Sequence, residues 1–190
     1  MARPLSQTAR ANMLGAAQGI LTAEGLAACT VDEVARRSGV AKTTIYRHFG
    51  SADELAVAAL EEMIADVVPP DLGSLRADLD AVVRSFRDLV PPETFRRLVA
   101  SMLARALDDP EFAAVYQRTN ETRHAALRIA IQRGMARGEV DPSIDLDLAL
   151  HMVQGPFIAK RLIGDGDVSD RELGVLLDLI VSALAPSVRA

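Results

Sequence analysis

Apolar residues return at intervals of three and four along nearly the whole chain, the spacing that lines one face of an α-helix. Met13, Ala16, Ala17, Ile20 and Leu21 mark such a face near the start. Val31, Val34 and Ala35 mark a shorter one, and Ile45 with Phe49, four apart, a third. No stretch alternates as a half-buried strand does. The pattern predicts an all-α chain of nine helices, at 7–24, 31–38, 42–48, 52–67, 73–90, 93–107, 110–137, 143–163 and 168–185. Gly25, Gly39, Gly50, Pro69-Pro70, Pro91-Pro92, Asp109-Pro110, Asp141-Pro142 and the Gly164-Asp165-Gly166 loop supply the breaks. Thr30-Val31-Asp32-Glu33 has the form of a capping box.

The last two helices carry more apolar surface than one face needs. On 143–163, Leu146, Ala149, Leu150, Val153 and Phe157 form one stripe and Leu148, Met152, Gly155, Ala159 and Leu162 a second. On 168–185, Leu173, Leu176, Leu177, Ile180 and Leu184 face one side, Val175, Leu179 and Ala183 another. A helix with two apolar stripes is covered on both sides, by its own core and by another chain. The expectation is a homodimer through a four-helix, two-fold interface, with Leu150, Val153, Phe157, Leu176 and Ile180 as its contact residues. Pro156 lies inside the first of these helices and should kink it.

Composition narrows the class. With 49% hydrophobic and 25% charged residues among 190, the chain buries a core and is not disordered. One cysteine, Cys29, forms no intrachain disulfide, which fits a reducing, cytoplasmic setting. The longest uncharged run, Ala11 to Ala23, is too short and too polar for a membrane span. No constellation for catalysis, metal or cofactor is present: His48, His124 and His151 are scattered, and no Gly-rich loop follows a strand. The acidic pairs Asp108-Asp109 and Glu61-Glu62 read as solvated ends and faces.

Charge is unevenly placed. The formal net charge is -5, yet residues 1–60 hold six cations (Arg3, Arg10, Arg36, Arg37, Lys42, Arg47) against five acids. Between Val34 and Gly50 there are four cations and no acid, the distribution a phosphate-binding surface requires. In that window two short helices flank Gly39, which is free to adopt a positive φ, and Val40, which plugs the angle between them. Ile45 and Phe49 face inward, so Lys42, Thr43, Thr44, Arg47 and His48 point mostly outward. Two helices joined by a tight glycine-containing turn make a helix-turn-helix, whose second helix enters the major groove by its N-terminal end.

The segment Thr30 to Leu55, with Gly39-Val40, Lys42-Thr43-Thr44-Ile45-Tyr46-Arg47-His48-Phe49 and Ser51-x-Asp53-Glu54-Leu55, resembles the DNA-binding domain of the tetracycline-repressor (TetR) family of bacterial regulators. Two positions depart from the family pattern: Ser38 replaces an alanine before the turn glycine, and Ala52 replaces a lysine before the acidic pair. The resemblance implies two domains, a three-helix DNA-binding domain at 1–50 and a regulatory and dimerisation domain at 51–190. It implies that Thr43 and Thr44 meet base edges or backbone, that Lys42, Tyr46 and His48 meet phosphate, that Arg47 reaches either, and that Thr30 offers a backbone contact. The partners it implies are double-stranded DNA carrying an inverted repeat, a second copy of the chain, and a small apolar ligand that releases a repressor from its operator. Phe86, Met102 and Tyr116 are the pocket residues it suggests, with Phe95, Phe112, Arg123 and His124 nearby in the pattern. The alternative is a ligand-binding or protein-interaction module with impaired DNA binding, against which the intact basic window argues.

Overall fold

The computed structural model describes residues 7–65, 67, 69–164 and 166–186. Arg3 and Asp165 lie outside the described residues. Among the described residues there are nine α-helices: α1 Gln7–Glu24, α2 Val31–Ser38, α3 Lys42–Phe49, α4 Ala52–Ala65, α5 Leu75–Asp88, α6 Pro92–Asp108, α7 Pro110–Ala136, α8 Leu146–Ile163 and α9 Asp170–Leu184. A short 3-10 turn, Leu26–Ala28, follows α1 and had no signal in the periodicity.

Helix starts shift from expectation where a side chain caps the first turn. The Ser74 hydroxyl accepts from the Ala77 amide and starts α5 at residue 75; the Asp145 carboxylate accepts from Leu148 and starts α8 at 146. Ser169 and Glu172 form a complete capping box at α9, with the Glu172 carboxyl held down at about 2 by hydrogen bonds from Lys160 and Ser169. Helix α8 runs on through Pro156, whose ring removes the amide that would bond the preceding turn.

The chain divides into two compact units, one from the described residues of 1–66 and 93–120, the other from those of 67–92 and 121–190. In the first, α1 packs along α4 and α2, closing a core of Met13, Leu14, Ala17, Ile20, Leu21, Val31, Val34, Ile45, Leu55, Ala56, Ala59 and Leu98. A smaller cluster of Val57, Met102, Phe112 and Tyr116 adjoins it. The unit that holds the helix-turn-helix thus extends past residue 50, because α4 covers the apolar face of α1 and α6 contributes Leu98 and Met102. Ion pairs tie α4 to the later helices of the same unit: Asp53 to Arg105 at 2.7 Å, and Glu54 and Glu61 to Arg118 at 2.5 and 3.4 Å.

The second unit has its own core, in which Leu75, Leu79 and Val82 of α5, Leu127, Ala130 and Ile131 of α7, Leu150 and Val153 of α8, and Leu173, Leu177 and Leu184 of α9 meet. Asp78 is fully buried there. Its cost is offset by an ion pair to Arg137 at 2.9 Å and by the Leu72 amide at 2.7 Å. Arg161 is buried as well; desolvation lowers its pKa, while Asp167 at 3.2 Å and the Val90 carbonyl, which accepts its Nη2 at 2.8 Å, hold the cation.

Candidate nucleic-acid interface

The turn between α2 and α3 is built by local hydrogen bonds. Thr30 caps α2, its Oγ1 accepting from the Glu33 amide at 3.2 Å. Only half of the predicted capping box forms. The Glu33 carboxylate turns away to accept from Arg36 and Arg37 at 2.6 to 2.9 Å, and those bonds, Arg36's first, hold its pKa down at about 2. Two adjacent guanidiniums offer a carboxylate more than one backbone amide does. Gly39 ends α2 in the left-handed region at φ 71° and donates its amide to the Ala35 carbonyl at 3.0 Å. Ser38, where the family pattern has alanine, accepts the Val40 amide on its Oγ at 3.2 Å and so braces the turn.

Helix α3 enters on Ala41, which makes no side-chain cap; its backbone carbonyl accepts from the Thr44 and Ile45 amides at 2.8 and 3.2 Å. Ile45 is buried and Phe49 packs beside it against the first core. This anchoring leaves Lys42, Thr43, Tyr46, Arg47 and His48 exposed and Thr44 half-buried. Tyr46 is 54% exposed, so its ring is on the surface and not in the core. Thr30 is exposed at the start of α2. Ala52, the other departure from the family pattern, packs against the first core at the start of α4, and the Ser51 hydroxyl caps that helix by accepting from Glu54.

The acid-free window in the sequence is not acid-free in space. Arg36 pairs with Glu33, Arg37 bridges Glu33 and Glu24, and Lys42 Nζ lies 2.7 Å from Asp32 Oδ1. Arg47 has no carboxylate partner among the described residues and touches His48 Nε2 at 3.4 Å. Cys29 is buried in the first core; burial first, and then the charge of Asp53, pushes its thiol up to about 11.

The dimer residues need correction. Leu150 and Val153 are fully buried inside a single chain and Ile180 nearly so, and Phe157 and Leu176 pack partly buried against the same core. Leu150, Val153 and Ile180, enclosed by their own protomer, offer almost no area to a second one, while Phe157 and Leu176 keep part of theirs. Of the other stripe, Leu148, Gly155 and Ala159 on α8 and Val175, Leu179 and Ala183 on α9 are exposed, and so is Ile163, whereas Met152 packs partly buried against the core and Leu162 is half-buried. An open second face exists, and of the contact residues expected from the sequence Leu150, Val153 and Ile180 lie on the covered face.

Of the three pocket residues, Met102 and Tyr116 share one cluster of the first unit and Phe86 belongs to the second unit. Met102 and Tyr116 are buried in the Val57 and Phe112 cluster, where the Phe112 and Tyr116 rings stack at 6.2 Å and Arg105 lies over Phe112 at 5.4 Å. Phe86 packs against the core of the second unit. A cavity of about 340 Å³ in the first unit is lined by Leu26, Cys29, Thr30, Asp53, Ser101 and Arg105, and an open groove of about 600 Å³ in the second by Lys160, Arg171, Glu172, Val175 and Leu176. None of the three predicted residues lines either. His124 bonds Gln154 at 2.8 Å and stands edge-on to His151, a contact that spacing alone did not suggest.

The family model described as bacterial regulatory proteins, tetR family, matches residues 13–59, and that described as tetracyclin repressor-like, C-terminal domain, matches residues 69–180. The uncharacterized HTH-type transcriptional regulator YdeS of Bacillus subtilis (strain 168) is 25% identical over 185 residues, 95% of this chain and 90% of that protein. The DNA-binding transcriptional repressor TetR of Mycobacteroides abscessus is 28% identical over 183 residues, 94% of each. Among solved structures, the TetR family transcription regulator SCO0332 superposes with a TM-score of 0.77 at 28% identity, covering 95% of this chain and 100% of that one. The transcriptional regulator FadR from Bacillus subtilis, solved in complex with stearoyl-CoA, shares the fold at a TM-score of 0.64 and 16% identity, over 94% and 98% of the two chains. A helix-turn-helix anchored by Ile45 and matched by the family's N-terminal model, followed by a helical region that the family's C-terminal model matches over residues 69–180, makes this chain a member of the TetR family of DNA-binding transcriptional regulators.

Proposed function

We propose that the chain acts in the cytoplasm as a homodimeric repressor, binding an inverted repeat in double-stranded DNA through α3 and released from it by a small, largely apolar ligand. The observation that carries the DNA reading is the face of α3, where Lys42 and Thr43 stand exposed and Thr44 half-buried at an N-terminus without a side-chain cap, and Tyr46, Arg47 and His48 stand exposed toward its C-terminal end. Short hydroxyls at that end suit base edges, and cations and free amides suit phosphate. Residues 1–50 form the reading segment in this proposal and 51–190 the regulatory part.

A two-fold protein reads a two-fold site, with the two α3 helices about one helical turn of DNA apart, roughly 34 Å, or somewhat more. The surface that supports dimerisation is the outer stripe of α8 and α9, with Leu148, Ile163, Val175 and Leu179 between 54% and 83% exposed. Apolar residues at that exposure, aligned on two neighbouring helices, fit an isologous four-helix contact. Among the described residues no helix is long and apolar enough to cross a membrane.

Release by a ligand is supported by the family and by the link from α4 to the regulatory helices. A protein of this fold, FadR, binds stearoyl-CoA, which is the precedent for an apolar ligand. In this chain α4 follows α3 after two residues and is ion-paired to α6 and α7 through Asp53, Glu54 and Glu61, so a shift of those helices would tilt the reading segment. A tenfold loss of operator affinity requires about 1.4 kcal/mol of coupling. Met102 is core, so arginine there would bury a charge and unfold the first unit; it is not a clean way to block a pocket.

A gel shift with DNA flanking the protein's own gene tests the proposal. Retardation of one duplex that survives excess nonspecific competitor, with footprint protection of two symmetric half-sites, is the expected result. Protection of a single asymmetric half-site at saturation would overturn the dimeric reading, and no retardation of any duplex would overturn DNA binding. Reversal of the shift by members of an apolar ligand panel tests the last part.

A further inference from the structure

We propose that Asp32 is a built-in competitor for DNA at Lys42, an acid on the reading face that sets operator affinity below what the neighbouring cations would otherwise provide. The inference rests on the reading of α3 as the DNA-contacting helix. Lys42 is the first residue of α3 and Asp32 lies in the first turn of α2, and their side chains meet at 2.7 Å across the Gly39 turn. Both face water, at 54% and 72% exposure. The pair belongs to no core, and a pair this exposed opens readily.

The other cations of the window are held differently. Arg36 and Arg37 share Glu33, Arg37 also holds Glu24, and these contacts form a network along α2. Asp32 stands outside that network, and among the described residues its ion pair is with Lys42 alone. The helix dipoles sharpen the asymmetry. A lysine at the N-terminus of α3 is opposed by the dipole and gains from a nearby carboxylate, whereas Asp32 at the N-terminus of α2 is favoured there with or without a partner. When a DNA phosphate takes over Lys42, the Asp32 carboxylate is left beside it without its partner.

Two consequences follow for binding. Like charges about 7 Å apart in water weaken association roughly threefold, hence about tenfold over two protomers, and opening the ion pair adds to that loss. An aspartate that has lost its lysine also attracts a cation from solution, which offsets part of the counterion release that drives association. The device keeps the regulator loosely held, so a modest push from the regulatory helices suffices to free it.

The test uses the full-length protein and fluorescence anisotropy on its operator duplex and on a scrambled duplex of equal length, across about 50 to 200 mM salt. Asp32→Asn, Asp32→Ser, Lys42→Met and the Asp32→Asn, Lys42→Met double variant are compared with wild type, and thermal melts confirm that each folds. Asp32→Asn and Asp32→Ser should bind both duplexes at least about tenfold more tightly at low salt, with a slope of log affinity against log salt steeper by up to about one per protomer. In the Lys42→Met background the gain from Asp32→Asn should shrink. Wild type that binds while neither Asp32 variant binds more tightly overturns this inference alone. A gain from Asp32→Asn as large in the Lys42→Met background as in the wild-type background also overturns it, because Asp32 would then act without the lysine. Wild type that binds no duplex overturns the reading of α3 and this inference with it.

Discussion

Leu179→Asp should separate the dimer and leave the protomer folded. Leu179 is 63% exposed on the outer face of α9, one turn from the exposed Val175, and Leu148 and Ile163 are exposed on α8. That exposure leaves roughly 100 Å² of apolar side chain open to water, worth about 2.5 kcal/mol when covered at about 25 cal/mol per Å². A two-fold interface uses the residue twice, giving about 5 kcal/mol per dimer. Ordering of side chains at the contact takes part of that back, so the dimer dissociation constant should rise by about three orders of magnitude. Sedimentation velocity from nanomolar to tens of micromolar protein reads the change directly, and operator affinity should fall with it, because a monomer presents one α3. The control is Leu177→Asp: Leu177 is fully buried in the second core, so its replacement should abolish cooperative melting and not merely shift the oligomeric state. A Leu179→Asp protein that dimerises as tightly as wild type would refute the assignment of the outer stripe, and a wild type that is monomeric at about 10 µM would refute dimerisation itself.

Other outcomes follow from the reading face and the core beneath it. Gly39→Ala meets no atom within 4 Å but must hold φ near 71°, so the loss should be about 1 to 2 kcal/mol of backbone strain, seen as a fall of several degrees in Tm; an unchanged Tm would show that the turn relaxes freely. Arg47→Ala should weaken binding to all duplexes and flatten the salt slope by about one per protomer, whereas Arg36→Ala, whose guanidinium is tied to Glu33, should leave the slope nearly unchanged; equal effects would refute the distinction. Cys29, with its thiol pushed up to about 11 from 9.0, should be alkylated at pH 8 about a hundredfold more slowly in the folded protein than in denaturant. Since the unfolded thiol ionises first, its contribution to stability is complete below pH 9 and is lost as pH rises through about 11, which urea melts across that range would detect.

Much of this protein is written in local order. Helical period, glycine and proline breaks, and the sequence from Thr30 to Leu55 specify nine helices within two or three residues and place the α3 side chains outward, because Ile45 and Phe49 leave them no other direction. Those properties depend on neighbours three or four residues away, which a sequence displays directly. Cap positions were less legible: Ser74, Asp145 and Ser169 each began a helix later than the apolar pattern suggested, since periodicity does not show which hydroxyl or carboxylate closes the first turn.

Tertiary structure decided what distance along the chain conceals. Two apolar stripes on α8 and α9 were visible, but the choice of stripe depended on where α5 and α7 pack, and Leu75, Leu79 and Leu127 claimed the one holding Leu150 and Val153. Of the pocket trio, Met102 and Tyr116 pack in one small cluster of the first unit and Phe86 against the core of the second, a division that periodicity does not display. A window free of acid in sequence became paired in space, because a helix turn brings Glu33 under Arg36 and Arg37 and the Gly39 reversal brings Asp32 to Lys42, ten residues away. Periodicity states that a face must be covered and composition that charge is concentrated; only packing determines which chain covers the face and which carboxylate meets the charge.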